Sequence, residues 1–437
     1  MKSLRSLVMS AVAPSLLLCT AAHADLTPIG PEFRIKAPES FAEGMTTSGT
    51  VLGIFGQTQG QFFAKDGTPA SDPFTIAWDT QDSAYTTAPQ YVLAPDGHLA
   101  LAWVDKPAAS NVIYDYRVRF QLFNADGSAQ GPAVTVVEQE VTSPLMMISE
   151  PSLDLAMNAQ GDFVVTWSDI RGLQTVKKAG RATLYAEVYN ADGTPATNAI
   201  TVTSTPLIGA LHNIGLVFEP TAGIDAAGNF AVAWSAFQTN NGSGYHQGSY
   251  AQAYNAAGLA QGTAIELAPG SNDCCVYHVD ALANGDFAIS RLTGSYGKTL
   301  VVQKLTPAGA LDGRGAILLS PDASQGDASP YFSIVDAVVD ADGYWTVAFG
   351  TWPNDPNESE DLLLRRDSLL RFTPDGKAIG SPVILEPAAE SWGDTALLYA
   401  LPDHQVLALY NTFLLDPNNP NKTLGSAFTA GQLFLTR

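Results

Sequence analysis

Cysteine is nearly missing from this chain, with three in 437 residues. Cys19 falls in an apolar N-terminal stretch, which leaves Cys274 and Cys275 side by side. Two adjacent cysteines cannot supply a disulfide framework for a chain of this length. Basic residues are scarce as well: 22 Lys and Arg stand against 43 Asp and Glu, for a formal charge of −21. Such a body repels phosphate backbones and anionic lipid, which argues against nucleic-acid partners. Long apolar runs are absent. The stretch Leu7 to Leu18 is too short to span a bilayer, and no later segment approaches the length required, so membrane insertion is not expected. With 46% hydrophobic and 15% charged residues, a packed core is expected and disorder is not.

The N-terminal stretch has the layout of a secretory signal. Lys2 and Arg5 precede the apolar run, and Ala22-His23-Ala24 places small residues where a signal peptidase cuts. Leu18 is bulkier than the residue usually found before a lipoprotein cysteine. Residues 1–24 are therefore expected to be a signal peptide, with cleavage after Ala24 and a periplasmic or secreted mature chain.

What the sequence has in quantity is repetition. The segments "NAQGDFVVTW" (158–167), "DAAGNFAVAW" (225–234), "LANGDFAISR" (282–291), "DADGYWTVAF" (340–349) and "APDGHLALAW" (94–103) share one shape. "LPDHQVLALY" (401–410) and "TTSGTVLGIF" (46–55) are poorer copies. Each is a turn followed by a short strand that tends to end in an aromatic residue. The turn positions 49, 97, 161, 228, 285, 343 and 404 lie 48 to 67 residues apart. A second turn recurs in six units: "AKDGTP", "NADGSA", "NADGTP", "NAAGLA", "TPAGAL" and "TPDGKA", flanked by apolar or alternating strands.

Strand, tight turn, strand, loop, strand, tight turn, strand is the plan of a four-stranded antiparallel propeller blade. Seven copies predict an all-β, seven-bladed β-propeller, with blades near 37–77, 88–138, 150–204, 219–269, 277–321, 330–387 and 389–437. The seventh copy stops after its third strand, "GQLFLTR", and the segment "LTPIGPEFRIK" (26–36) has the shape of the missing fourth. The N-terminal strand is thus expected to complete the last blade and close the ring.

The units resemble a repeat found in bacterial secreted and surface proteins, of the form GNFVVAW…DGSGYGIYAQ…NAAGTP. The fourth unit, "GNFAVAW…NNGSGYHQGSYAQAYNAAG" (228–258), is nearest to it. The resemblance spans nearly all of the mature chain and implies a propeller blade; it implies no activity.

In such a blade the two uniform turns project from one face, and the long, irregular connections from the other. Irregular loops on a rigid scaffold are where binding and catalytic groups concentrate. His212, His246 and His278 all fall in or beside these connections, in blades four and five, and could meet in one sector of a central funnel. Arg291 stands where other blades place Trp103, Trp167, Trp234, Phe349 or Tyr410. Its charge needs partners there, or its stem packs while its head reaches solvent.

Cys274 and Cys275 have three readings: a strained vicinal disulfide beside a bound cofactor, thiolate ligands of zinc or copper with nearby histidines, or a reduced pair. The acidic stretch "NDPNESED" (354–361) could hold calcium or remain a solvated loop. Lys177, Lys178 and Arg181 form the one basic cluster among these connections. Tyr114, Tyr116, Tyr245, Tyr250, Tyr277 and Trp352 are expected as aromatic surface for sugar rings. No nucleophile elbow, Walker loop, dinucleotide fingerprint or HExxH helix is present.

Two classes of function fit, beside a third possibility of a purely structural surface protein. The first is a monomeric recognition module that binds a glycan, peptide or small ligand near blades four and five. The second is an enzyme on the same face. It would be a lyase acting on an acidic polysaccharide, with Tyr277, His278 or His246 exchanging protons and Arg291 neutralising the substrate carboxylate. A metal centre of His212, His246 and His278 is a variant of the second class.

Overall fold

The computed structural model describes residues 26–36, 40–42, 44–108, 115–139, 151–171, 180–207, 215–240, 243–267, 273–293, 299–319, 332–340, 342–351, 366–385, 396–401, 404–416 and 419–436. Regular structure among them is entirely strand. After β1 (Leu26–Lys36), blade one comprises β2 (Ser40–Phe41), β3 (Val51–Phe55), β4 (Gln59–Phe63) and β5 (Phe74–Thr75). Blade two has an innermost strand broken into β6 (Ser83–Thr86) and β7 (Gln90–Leu93), which pair with successive stretches of β8 (Leu99–Pro107). It is completed by β9 (Tyr116–Phe123) and β10 (Val134–Gln139).

Blade three runs β11 (Leu153–Met157), β12 (Phe163–Arg171), β13 (Gly180–Tyr189) and β14 (Ile200–Leu207). Blade four runs β15 (Gly215–Ile224), β16 (Phe230–Asn240), β17 (Ser243–Tyr254) and β18 (Ala260–Glu266). Blade five runs β19 (Asp273–Ala281), β20 (Phe287–Thr293), β21 (Thr299–Leu305) and β22 (Leu311–Leu319). Blade six runs β23 (Phe332–Val339), β24 (Trp345–Thr351), β25 (Arg366–Phe372) and β26 (Ala378–Ile384). Blade seven contributes β27 (Ala396–Leu401), β28 (Gln405–Asp416) and β29 (Asn419–Thr436), and its fourth strand is β1.

Every pairing is antiparallel, and all but this closure and β6 with β8 join chain neighbours. Leu26 pairs with Thr436 and Lys36 with Phe428, so the expected N-terminal closing strand is present. The protein is a seven-bladed β-propeller. First strands of successive blades pack side by side, from β7 to β11, β15, β19, β23 and β27, and form the inner ring.

Residue size explains how the blades stack. In β16 the side chains of Phe230, Val232 and Trp234 enter the cluster between blades three and four. Their alternates Ala231 and Ala233 face blade five, where Phe287 and Ile289 fill the space they leave. Both faces of a middle strand are buried, so it reads as an unbroken apolar run. The recurrent aromatic position is an inter-blade plug: Trp103, Trp167, Trp234, Phe349 and Tyr410 are all buried.

The turns behave as their glycines require. Gly49, Gly97, Gly161, Gly228, Gly285 and Gly343 have φ between 78° and 92°, and His404, at the seventh equivalent position, has φ 55°. In blade three Gly161 N donates to Asn158 O, and Asn158 N to Asp162 O, a tight turn followed by one left-handed residue. At the second turns Gly309 is the most constrained. It has φ 75°, and a Cβ there would lie 1.8 Å from Gln261 O.

Candidate functional site

The inner strands carry a register position that the turns define. Counting back four residues from the start of each first turn gives Ala42, Gln90, Asp154, Thr221, His278, Asp336 and Leu397 in blades one to seven. Two of these are aspartates with the same task. Asp154 Oδ2 accepts a hydrogen bond from Ala222 N of blade four at 2.8 Å, and Asp336 Oδ2 accepts one from Leu398 N of blade seven at 2.7 Å. Each carboxylate clamps its inner strand to the amide one register step further along the next blade.

Blade five places His278 at this position, between the two clamps. The amide it would otherwise serve, Ala337 N, donates to Asp336 Oδ1 at 2.8 Å. The imidazole turns to the same carboxylate: Nε2 donates to Asp336 Oδ1 at 3.1 Å. Asp336 is buried and receives three donors, so it holds the ring firmly. His278 keeps 35% of its side chain exposed, on the innermost strand of its blade. It is fixed and reachable at once.

Asp280 lies two residues further along β19. Its Oδ2 is shielded from solvent and has no hydrogen-bond partner among the described residues. Burial pushes this carboxyl up to about 6; the His278 ring lowers it and Asp336 raises it. Burial also raises Asp154, whose amide bonds from Ala222 and Leu155 and whose attraction to His278 only partly offset it. Three inner-strand carboxylates therefore act on one imidazole.

A second charged cluster sits in blade two. Asp105 is fully buried and accepts from Arg117 Nε at 2.7 Å, from Trp103 Nε1 at 3.3 Å and from Ser83 Oγ at 2.5 Å. Arg117 also grips Asp82, with Nη1 at 2.6 Å from Oδ2. Arg119 reaches Asp79 and Asp82 at 3.3 and 3.0 Å and lies over the Trp103 ring. These bonds strap the connection between blades one and two onto β8 and β9, a structural role. The Arg117 bond holds the Asp82 carboxyl below its usual range.

The residues singled out in the sequence are distributed as follows. His278 stands in the inner ring. Arg291 is on β20, buried, with Nε donating to Gln303 Oε1 at 3.1 Å, so it fills the inter-blade position of the missing aromatic. The stretch "PGSNDCCVYH" (269–278), expected as a connection, is strand from Asp273 onward, and 269–272 lie outside the described residues. β19 starts at Asp273, and its pairing slips between Asp273 and Cys275 and again between Val276 and His278. Cys274 and Tyr277 occupy these two bulges, and Cys275 pairs with Leu292 through the backbone. Likewise His246 is within β17 and not in a loop, its backbone opposite Phe237.

His212 lies outside the described residues, as do Tyr114, Lys177, Lys178, Trp352 and the acidic stretch 354–361. Among the described residues no group of three or more His, Cys, Asp or Glu is placed to hold a metal ion. Two expected surface aromatics are packed. Tyr116 is buried in the cluster between blades two and three, and Tyr250 stacks on Trp234 with ring centres 5.7 Å apart. Asp154, Asp280 and Asp336 were not anticipated. Aligning "LDLAM", "HVDAL" and "DAVV" on the following turn would have brought the first and last into register with His278.

No family model matches the chain, and no curated protein matches it in sequence. Solved structures are similar in shape. An ulvan lyase of polysaccharide lyase family PL25, bound to -[GlcA(1-4)Rha3S]-, covers 88% of this chain and 96% of its own, at 10% identity and a TM-score of 0.48. An α-L-arabinanase from Penicillium chrysogenum, complexed with arabinobiose, covers 91% and 98% at 12% identity and a TM-score of 0.40. A protein of unknown function from Dyadobacter fermentans covers 83% and 97% at 11% identity and a TM-score of 0.42. The propeller itself rests on the strand pairing described above.

Proposed function

We propose that the chain is a secreted or periplasmic propeller that binds a glycan at its inner ring, with His278 at the centre of the site. The observation that supports this most is the His278–Asp336 pair beside Asp280. A fixed, partly exposed imidazole is held by a buried carboxylate and lies two residues from a second one whose Oδ2 lacks a partner among the described residues, at a position where blades three and six use aspartate for inter-blade clamping. Sugar hydroxyls supply donors and acceptors together, which suits an imidazole and carboxylates.

The same pair supports a second reading, an enzyme. Held by Asp336, the partly exposed His278 imidazole is a group of the right chemistry to exchange a proton. Arg291 would then not touch the substrate, since it is buried between strands and bonded to Gln303.

Calorimetric titration with a panel of neutral, acidic and amino oligosaccharides tests both. His278→Ala should weaken binding of the recognised glycan at least about tenfold, the loss of one or two charge-assisted hydrogen bonds. Leu259→Ser, at an exposed second turn, should leave it unchanged. Equal binding by His278→Ala refutes the site. Turnover by the parent and none by His278→Ala assigns the enzyme.

A further inference from the structure

We infer that the junction between blades five and six is a binding site for a single neutral sugar ring, separate from the inner ring and independent of it. The strand register shows how the space arises. One position on the outermost strand is Phe74, Val134, Ile200 and Ile265 in blades one to four, Val383 in blade six, and Phe33 in the strand that completes blade seven. Blade five has Ala316 there. In blades one, three and five this side chain covers the second turn of the following blade. A Cβ on Gly127 would lie 2.3 Å from the Phe74 ring, one on Gly258 2.6 Å from Ile200, and one on Gly376 2.5 Å from Ala316. Alanine keeps the contact with the turn and gives up the remaining volume. A cavity of about 300 Å³ lies at this junction, at the small end of the range for ligand pockets.

A charge stands at the same junction. At one position near the end of the third strand, blades one to four and seven carry Phe62, Leu122, Val188, Ala253 and Leu433. Blade five carries Lys304 and blade six Arg371, whose guanidinium is held by Asp340. No ion pair or hydrogen bond joins Lys304 to another of the described residues. Asp312 is its cross-strand neighbour and shares its face of the sheet. The ammonium reaches instead toward blade six, with Nζ 3.8 Å from where a Cβ on Gly343 would stand. Both residues line the cavity, as does Asp375 on the second turn of blade six, one of whose oxygens accepts from the Thr373 hydroxyl. Trp345, Ala316 and Pro374 make its lining apolar elsewhere.

The cavity thus offers one ammonium donor, two carboxylate acceptors and an apolar wall. A hydroxyl both donates and accepts, so the hydroxyls of one pyranose serve Lys304 and the aspartates together. The C–H groups of the ring lie against the apolar wall. An anion would stand beside Asp312 and Asp375, and a cation beside Lys304, each with like charge at hand.

Ligand-observed NMR titration with glucose, galactose, mannose, glucuronate, glucosamine and serine, up to about 50 mM, tests this. At least one neutral hexose should bind, at least about threefold tighter than the charged sugars or the serine zwitterion. Ala316→Phe installs the residue that blades one and seven carry there. It should weaken hexose binding at least about tenfold while the urea midpoint stays level or rises, because a void is filled. Lys304→Met removes only the ammonium and should weaken binding at least about threefold; it decides the matter should the larger residue prevent folding. His278→Ala should leave hexose binding at this site unchanged. No hexose binding in the parent, unchanged binding in the cavity variants, or tighter binding of glucuronate, glucosamine or serine overturns the inference. Hexose binding that is lost in His278→Ala and kept in Ala316→Phe overturns it too, and assigns the sugar to the inner ring.

Discussion

Asp280→Asn makes the sharpest statement about the inner ring. The Asp280 carboxyl sits at about 6 in the folded chain against an ordinary value of 3.8, with burial the main cause. For an acid, a raised value means that the folded state holds its proton more tightly than the unfolded one. Stability from this group is therefore complete below about pH 4 and is lost as pH rises through 6. At about 1.4 kcal/mol for each tenfold change in proton affinity, the loss reaches roughly 3 kcal/mol. Asparagine keeps the shape and cannot ionise. The variant should match the parent near pH 4 and exceed it by up to about 3 kcal/mol at pH 7.5. Urea unfolding followed by tryptophan fluorescence, repeated from pH 4 to 8, gives the difference curve directly. A difference independent of pH, or a variant less stable than the parent at pH 7.5, would show that Asp280 is ionised and satisfied in the folded chain.

Other variants read other parts of the molecule. Asp105→Asn removes the buried carboxylate of the cluster while Asp79 and Asp82 still face Arg117 and Arg119, and should cost about 1.5–3 kcal/mol, whereas Asp82→Ala, at an exposed carboxylate, should cost about 1 kcal/mol or less; the two midpoints in urea compare them. Gly309→Ala should destabilise by more than about 2 kcal/mol, because the left-handed backbone and the Gln261 carbonyl both exclude a methyl group. Asp336→Asn should weaken ligand binding to His278 by about tenfold and shift its pH dependence, since the ring loses the carboxylate that fixes its tautomer. Unchanged binding and pH profile would make Asp336 a clamp and nothing more.

The fold could be read from the chain because turn chemistry repeats. Left-handed glycines at fixed offsets announce hairpins, and aromatic residues six positions on announce the plug between sheets. Even the closing strand was visible, since "LTPIGPEFRIK" supplies the partner that "GQLFLTR" lacks. The site was half visible. His278 stood out by residue type, but Asp154 and Asp336 look like ordinary strand aspartates until the units are aligned from the turn backward. Arg291 was conspicuous for the right reason, a broken pattern, yet the pattern concerned packing and its charge is answered by Gln303 inside the sheet. Strand extent was the weakest reading. Polar, irregular segments such as Ser243–His246 and Asp273–Tyr277 carry no alternation to mark them, and only pairing with a neighbour makes them strands.

The seam between β1 and β29 ties the first described residue to nearly the last, Leu26 against Thr436. During vectorial synthesis six sheets can assemble in order while the segment that finishes the seventh waits unpaired. Contact order is highest at this one junction, so ring closure is expected to be the slow, late event of folding. A chain stalled before that event exposes two raw sheet edges, which invite pairing with a second copy until the circle is sealed.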